Sequence, residues 1–307
     1  SKFLEEDGQE KFAAFSRNFS NVSGSAGVSY LPSAAVALKF NLSRGFRAPS
    51  IPELASNGTH EGTNRYEYGN RSLKSETSWQ ADLGSEFNAD HLSISASFFL
   101  NNIQNYIYYS KLPAVNGGDS LVDGNTAFIF NQQDATLAGF EVVVDLHPHP
   151  LDWLHFENTF SYVRARFKDG IEGNRNIPFI PAGRWLSELR ADLLKEGKLF
   201  RNLSLRLQLD NTLAQKKAFT VYETETASSG YSLLNAGLST DLFAGGKNFA
   251  SLYFNVMNIG DVAYQNHLSR LKYAAENQVT GRTGVFGMGR NFNIKLVVPL
   301  EFALGKK

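Results

Sequence analysis

The chain has 307 residues, of which 42% are hydrophobic and 13% aromatic, and its 30 basic residues balance 30 acidic ones. A formal net charge of zero gives no basic footprint for nucleic acid, and the absence of cysteine excludes disulfide scaffolds and thiolate metal sites. No apolar run reaches the ~18 residues of a membrane helix, so any membrane contact must be made by strands.

Hydrophobic and polar residues alternate with a period of two along most of the chain, as in β-strands with two different faces. A polar segment at residues 1–21 comes first, and we assign it to an external loop. An early strand then has apolar Val36, Leu38, Phe40 and Leu42 interleaved with Ala37, Lys39, Asn41 and Ser43. The last predicted strand, residues 291–302, repeats this pattern and is long enough to cross a hydrocarbon layer.

The connections between the predicted strands alternate between short turns and long polar loops. Long loops are predicted at residues 44–75, 111–125, 168–181 and 211–230 and from residue 258 onward. This alternation is typical of an outer-membrane barrel, which has short periplasmic turns and longer external loops. A soluble sandwich shares the strand pattern but has no reason to alternate its loop lengths. We therefore predict an all-β, antiparallel up-and-down transmembrane β-barrel wall.

The long loops contain recognisable motifs. Residues 43–49 are S-R-G-F-R-A-P, residues 68–76 are Y-G-N-R-S-L-K-S-E, and residues 266–272 are N-H-L-S-R-L-K. These segments resemble loop motifs of TonB-dependent outer-membrane receptors, which include F-R-A-P and G-N-x-x-L-K-x-E sequences. Arg71 stands where proline is usual in the second motif. The resemblance extends from Val22 to Phe302.

This resemblance implies a 22-stranded barrel with an N-terminal plug, which imports scarce ligands with energy from an inner-membrane complex. The alternation gives about eleven strands, so residues 22–302 are predicted to form the C-terminal half of such a barrel. Because an open sheet would leave two unpaired edges in lipid, we expect the plug and the first barrel half in the same or a separate chain. Residues 303–307 form a tail beyond Phe302, the aromatic residue that normally ends these barrels.

Candidate ligand-binding residues lie in the predicted external loops. His60 and Glu61 lie between the first two motifs, where haem receptors of the family have a ligating histidine. Imidazole is a good ligand for iron or zinc, so His60 is a candidate metal ligand. A solvated loop histidine is the alternative. His267 and Arg270, in the last-loop motif, are candidates for ligand contact, with a structural role as the alternative for His267.

Three tyrosines cluster where the alternation of one strand breaks: Tyr106, Tyr108 and Tyr109. We predict that they form an aromatic girdle at the membrane surface, and Tyr108 is also a candidate for ligand contact. A basic group ends a later strand, which begins at about Leu154, on its external side: Arg164, Arg166 and Lys168. It can attract an anionic siderophore or lipopolysaccharide phosphates, and a solvated or paired cluster is the alternative.

A short turn contains His147 and His149, whose i, i+2 spacing is compatible with a metal pair. An ordinary turn is the favoured interpretation, because the two histidines lie between prolines in the sequence H-P-H-P.

The favoured function is the barrel portion of an energy-coupled uptake receptor in the outer membrane of a Gram-negative bacterium. The resemblance makes an iron siderophore or haem the first expected ligand, followed by zinc, copper or cobalamin. The expected partners are the plug, the inner-membrane complex, the ligand, lipid and lipopolysaccharide, and no cofactor is expected. The alternatives are an outer-membrane protease or lipase, which needs a nucleophile and a base at the rim, and a passive porin.

Overall fold

A computed structural model describes residues 15–60, 65–223 and 225–300. Eleven long strands follow one another in the sheet in chain order, and each is antiparallel to the next. The strands are β1 (Gly24–Ser33), β2 (Val36–Arg47), β3 (Glu76–Ala89), β4 (Leu92–Lys111), β5 (Asn125–Leu146), β6 (Leu154–Ile171), β7 (Arg184–Leu194), β8 (Phe200–Thr212), β9 (Tyr231–Ala244), β10 (Lys247–Met257) and β11 (Asn291–Val297). The predicted all-β fold and strand number are confirmed.

The loops contain only short regular elements. A five-residue helix, α1 (Ile51–Ala55), follows β2. The described parts of the loops also contain six short strands of two to four residues each. These short strands are Asn57–His60, Arg65–Tyr68, Leu121–Val122, Asn174–Asn176, Glu276–Asn277 and Arg282–Thr283. In the described residues no helix is long and apolar enough to cross a membrane.

The connections alternate as predicted. Short turns at residues 34–35, 90–91, 147–153, 195–199 and 245–246 leave one end of the sheet, which we call the short-turn end. Loops at residues 48–75, 112–124, 172–183, 213–230 and 258–290 leave the other, the long-loop end. In the described part of the chain β1 pairs only with β2 and β11 only with β10, so the sheet is an open wall with two edges.

One face of the sheet, the apolar face, consists of hydrophobic side chains in register across the strands. One row runs over the first six strands: Val28, Phe40, Leu83, Phe98, Phe140 and Tyr162. Another row runs over the last five: Leu189, Leu207, Ala236, Val256 and Phe292. Phe40, Leu83 and Phe98 are 46%, 52% and 47% exposed, so no other part of the described chain covers this face.

The opposite face, the polar face, is held by hydrogen bonds and ion pairs between neighbouring strands. Gln208 donates to Glu188 Oε2 at 2.9 Å and accepts from Asn235 Nδ2 at 3.1 Å, which connects three strands at one level. Lys39 Nζ lies 2.7 Å from Glu86 Oε1 on the first strands. These contacts link neighbouring strands across the polar face.

Gly139 makes room for an aromatic ring on the polar face. It is the register partner of Phe99, and a Cβ at residue 139 would lie 2.6 Å from Phe99 Cε1 and 2.7 Å from the Tyr162 carbonyl oxygen. No L side chain fits without a shift of Phe99 or of the neighbouring backbone. The glycine therefore allows an aromatic ring to cover the backbone of the adjacent strand.

The predicted tyrosine girdle is wrong for Tyr106 and Tyr108. The β4–β5 register slips by one residue between Ile103 and Tyr106, where Asn105 has a φ of 57°. An extra residue in one strand moves the following side chains to the other face. Both rings therefore lie on the polar-face side and pack against Phe167, at ring-centroid distances of 6.1 and 4.8 Å.

The last strand is shorter than predicted. It ends at Val297, which pairs with Ser251, rather than continuing to Phe302. Pro299 has no N–H to donate to a strand ladder, which explains the early end. Phe302 and the predicted tail at 303–307 lie outside the described residues, as do residues 1–14 of the predicted N-terminal segment.

Phe98 and Ser97 are adjacent on β4 but belong to opposite faces, and this allows a matched test of which face meets lipid. In the intact membrane-embedded barrel we expect Phe98→Arg to lower the free energy of unfolding by ~2–4 kcal/mol, as for arginine placed near the bilayer midplane. Ser97→Arg, whose register partner is Glu141, should change it little. Urea unfolding in phospholipid vesicles measures both values, and equal losses for the two variants would contradict the assignment of faces.

Candidate functional site

Two sequence motifs from different parts of the chain meet at the long-loop end. Arg47, from the F-R-A-P segment, binds Glu76 of the second motif through two hydrogen bonds, Nε to Oε2 at 2.7 Å and Nη2 to Oε1 at 2.9 Å. Its Nη1 also lies 2.8 Å from Glu53 Oε2. Glu76 Oε1 additionally accepts from the Ile107 amide at 2.6 Å. The motifs therefore form a bracket that fixes the first long loop on β2, β3 and β4.

The helix α1 is part of this bracket. Ser50 caps it, and Glu53 donates and accepts in a reciprocal capping box with the Ser50 side chain and backbone. Leu54 packs with Leu73 and Ile107 in a buried cluster. Gly69 lies against the helix, and a Cβ there would be 2.3 Å from the Ala55 nitrogen, so the chain requires glycine at this position.

A buried glutamate connects three of the long loops. The Glu225 side chain is 1% exposed. Its Oε1 accepts from the Phe179 amide at 2.9 Å and its Oε2 from the Phe219 amide at 2.6 Å. Its Oε1 also lies 2.9 Å from His267 Nε2. One carboxylate thus holds the loops at 172–183, 213–230 and 258–290 together.

The other side of the His267 ring meets two polar side chains. Ser228 Oγ lies 2.5 Å from His267 Nδ1, and Lys272 Nζ lies 3.4 Å from the same atom and 3.3 Å from Ser228 Oγ. Burial lowers the pKa of His267, and the Lys272 ammonium adds to this effect, while the Glu225 carboxylate opposes it. The imidazole is therefore neutral at pH 7. We call Glu225, His267, Ser228 and Lys272 the loop clasp.

The loop clasp contains the residue types of a serine hydrolase triad, which bears on the enzyme alternative. In that triad the serine contacts Nε2 and the carboxylate contacts Nδ1, whereas in the clasp Ser228 contacts Nδ1 and Glu225 contacts Nε2. Both carboxylate oxygens are also held by backbone amides, and His267 is 4% exposed. In this arrangement the side chains connect the loops, and they do not form an exposed nucleophile and base.

A pocket of about 660 Å³ opens beside the loop clasp. Lys272 and Ser228 lie in its wall, which also contains four aromatic side chains: Tyr231, Tyr264, Tyr273 and Phe286. The rings of Tyr231 and Tyr264 are 4.6 Å apart. Tyr264 lies directly over Gly287, where a Cβ would come within 2.3 Å of the ring. We call this the aromatic pocket, and it combines flat apolar surfaces with one ammonium group.

Comparison with known families identifies the wall and its loops. The model described as "TonB dependent receptor-like, beta-barrel" matches residues 3–259. The chain belongs to the TonB-dependent receptors. In outer-membrane barrels of this kind the apolar face meets lipid and the polar face lines the lumen, while the short turns face the periplasm and the long loops the outside.

Individual relatives of this receptor chain are distant. It is 30% identical over 157 residues to transferrin-binding protein A of Haemophilus influenzae, which covers 49% of the chain and 16% of that protein. It is 29% identical over 156 residues to the ferric enterobactin receptor of Pseudomonas aeruginosa, a match that covers 47% of this chain and 20% of that protein. The chain thus spans about a fifth or less of the length of these relatives.

A solved structure with the same fold is the copper transporter OprC. The two superimpose with a TM-score of 0.69 at 18% identity, over 89% of this chain and 39% of the transporter. Because the identity is low, this likeness concerns the fold alone. It agrees with a wall of eleven strands that is part of a larger barrel.

The predicted ligand-binding residues lie in different places in this receptor wall. His60 is exposed in the strand Asn57–His60, and Glu61 lies outside the described residues. Arg270 stacks on Phe179, with 5.1 Å between its Cζ and the ring centroid, and donates to the Tyr109 hydroxyl at 3.3 Å. His267 belongs to the loop clasp.

Tyr108 and Arg166 lie on opposite sides of the wall. Tyr108 packs on the lumen side against a buried cluster that contains Phe167. The loop residues Ile177 and Phe219 belong to the same cluster. Arg166 pairs with Thr136 of β5, in phase with the lipid-facing Phe140, and is exposed. Arg166 therefore points away from the lumen.

The lowered pKa of His267 predicts that acid opens the loop clasp. On opening, the pKa returns towards its usual value near 6.5, so the open state binds more protons below that pH. The closed state is then most stable above pH 6.5. As the pH falls below this value, the equilibrium constant for opening rises by up to about tenfold per pH unit. Hydrogen exchange at the Phe179 and Phe219 amides, corrected for intrinsic rates, measures this.

The matched control is His267→Asn, which can keep a contact with Ser228 but does not titrate. Its Phe179 and Phe219 amides should show no such dependence on pH. Protection that stays constant in the unaltered protein between pH 7.5 and 5.5 would show that the histidine does not govern the clasp.

Proposed function

We propose that this chain forms the C-terminal part of the barrel of an energy-coupled uptake receptor in the outer membrane of a Gram-negative bacterium, and that its ligand carries iron. Membership of the TonB-dependent receptors supports the transport class. The two curated relatives are named for transferrin and ferric enterobactin, both of which carry iron. The wall contributes a polar lumen and external loops rather than bond-breaking chemistry.

The aromatic pocket is the observation that supports a ligand class. A flat aromatic ligand gains contact area against Tyr231, Tyr264 and Phe286. The Lys272 ammonium, which already takes part in the loop clasp, favours a negative charge on that ligand. Ferric catecholates and haem both combine aromatic rings with negative charge, so the pocket favours these two over zinc, copper or cobalamin. The similarity to a ferric enterobactin receptor favours the siderophore over haem, and we infer a ferric catecholate.

Other predicted residues have separate roles in this proposal. Arg270 and His60, on exposed parts of the loops, take part in first contact with the ligand, together with Glu61. His267 and Tyr108 support the loop layer from below. Arg166, with Arg164 and Lys168, binds lipopolysaccharide phosphates, because an outward arginine above the apolar band meets the charged surface of the outer leaflet.

The remaining partners follow from the open wall. Its two edge strands, β1 and β11, need neighbours in the barrel, since unpaired backbone groups cost several kcal/mol each in lipid. We infer that the other barrel strands pair with these two edges. We also infer that a plug fills the lumen and couples the receptor to the inner-membrane complex. A passive porin is the less favoured alternative, because it does not need a rigid loop layer.

The test uses the intact receptor that contains this chain, in a Gram-negative host without its own iron receptors. We expect radioiron uptake from a ferric catecholate that requires the membrane potential. Phe286→Ala should weaken binding by about tenfold, the upper end for loss of an aromatic contact. Phe249→Ala, at the exposed short-turn end, is the matched control and should bind normally.

The two parts of the proposal fail in different ways. Absence of energy-dependent uptake for every ferric ligand would refute the receptor function. Uptake with equal affinity in the Phe286 and Phe249 variants would instead refute the aromatic pocket as the ligand site.

A further inference from the structure

Histidines are concentrated at the short-turn end of the wall. Four of the six in the chain lie there, and the other two, His60 and His267, lie at the long-loop end. The four are His91 in the β3–β4 turn, His147 and His149 in the β5–β6 turn, and His155 near the start of β6. Neither the loop clasp nor the aromatic pocket uses any of them.

Three side chains converge at this end. Asp145, His147 and His155 each offer one oxygen or nitrogen atom, and these atoms lie within 4.8 Å of one another. His147 Nε2 is 2.8 Å from Asp145 Oδ2. The rings of His147 and His155 are 4.7 Å apart and nearly perpendicular. All three side chains are half-buried, so they have water on one side and protein on the other.

The cluster lies on the lumen side of the wall. Asp145 belongs to the same face of β5 as Glu141, and its register partner on β6 is Glu157. His155 is in phase with Glu157 and pairs with Arg190 of β7. The site is therefore at the periplasmic mouth of the lumen.

Hydrogen bonding within the described protein leaves this cluster incomplete. Asp145 Oδ1 is buried and has no hydrogen-bond partner, although buried carboxylate oxygens are normally paired. His147 satisfies only the other oxygen. Asp192 lies behind the cluster, with Oδ2 3.4 Å from His155 Nε2, and a carboxylate next to a ligating imidazole is common around metal ions.

We propose that Asp145, His147 and His155 bind a divalent transition-metal ion of the Zn²⁺ class. Two imidazoles and one carboxylate are a usual donor set for Zn²⁺, with water as the fourth ligand. Metal–ligand distances of about 2.1 Å place ligands of a tetrahedral site ~3.4 Å apart, so side-chain rotations close the present cluster around an ion. The two imidazoles favour Zn²⁺, Cu²⁺, Ni²⁺ or Co²⁺ over Ca²⁺ and Mg²⁺, and the absence of thiolates disfavours Cu⁺.

His149 is not a member of the site, although its i, i+2 spacing from His147 is compatible with a metal pair. Its Nδ1 lies 3.4 Å from Asp152 Oδ1, and its ring stacks on His91 at 5.5 Å. The turn therefore separates its two histidines into different groups. This separation provides a matched pair of double variants, each of which removes two histidines from the same end of the barrel.

The experiment uses the intact receptor, purified in detergent without a histidine tag. Zn²⁺ is titrated calorimetrically, and Co²⁺ serves as the spectroscopic probe of a tetrahedral site. We expect one ion per chain in the unaltered protein and in His91→Ala/His149→Ala. His147→Ala/His155→Ala should weaken binding by at least about 100-fold, and Asp192→Asn by about 10- to 100-fold, as for residues that contact a metal-binding histidine.

Two controls keep the test decisive. Heat-modifiable migration on gels shows whether each variant keeps a folded barrel, and Asp145→Asn, which preserves side-chain shape, should lose binding without unfolding. The proposal is overturned if His147→Ala/His155→Ala or Asp145→Asn binds Zn²⁺ like the unaltered protein. It is also overturned if the His91/His149 variant loses binding to the same extent, or if the unaltered protein binds no stoichiometric ion.

Discussion

A polypeptide that crosses a hydrocarbon layer must satisfy its backbone N–H and C=O groups within the protein, because the layer contains no water to bond them. In this receptor chain eleven antiparallel strands do so by pairing each strand with the next. The other features depend on this constraint. Neighbouring side chains must leave opposite faces of such a sheet, so one face can suit lipid while the other retains the polar groups of a lumen.

The long-loop end departs from the regular wall, and the departures have a common effect. The extra residue near Asn105 turns Tyr106 and Tyr108 from the lipid side to the lumen side, where they support a buried cluster under the loops. The Arg47–Glu76 bracket fixes one loop, and Glu225 holds three others. These contacts hold the long loops to the wall and to one another. The aromatic pocket lies among loops that are fixed in this way.

Much of the wall could be predicted from the sequence because its signal is local. A period of two is visible within a stretch of about twenty residues. Once the strands are located, the alternation of short and long connections predicts their order. The helix α1 also had a local signal, since Ser50 and Glu53 have the spacing of a capping box. A shift of register by one residue appears in the sequence only as a break in the alternation, which does not say on which face the following side chains lie. The girdle prediction was therefore wrong for Tyr106 and Tyr108.

The sites were much less predictable, because their members are far apart in the chain. Glu225 meets Phe179, Phe219 and His267, and no motif surrounds it. The candidate residues His267 and Arg270 were found through a motif, but their contacts depend on how the loops fold together. The spacing of His147 and His149 is compatible with a metal pair. Pairing between strands instead brings the His155 ring next to that of His147.

Spin labelling along β4 shows whether this sheet spans a membrane with its apolar face in lipid. This chain has no cysteine of its own. Single cysteines are introduced at residues 93–100 of the intact receptor, in which any cysteine outside this chain is first replaced by serine. We expect accessibility to alternate with a period of two. Oxygen should reach labels at Ile94, Ala96, Phe98 and Leu100, and a water-soluble nickel complex should reach those at Ser93, Ser95 and Ser97. Equal access of the nickel complex to both sets would contradict this expectation.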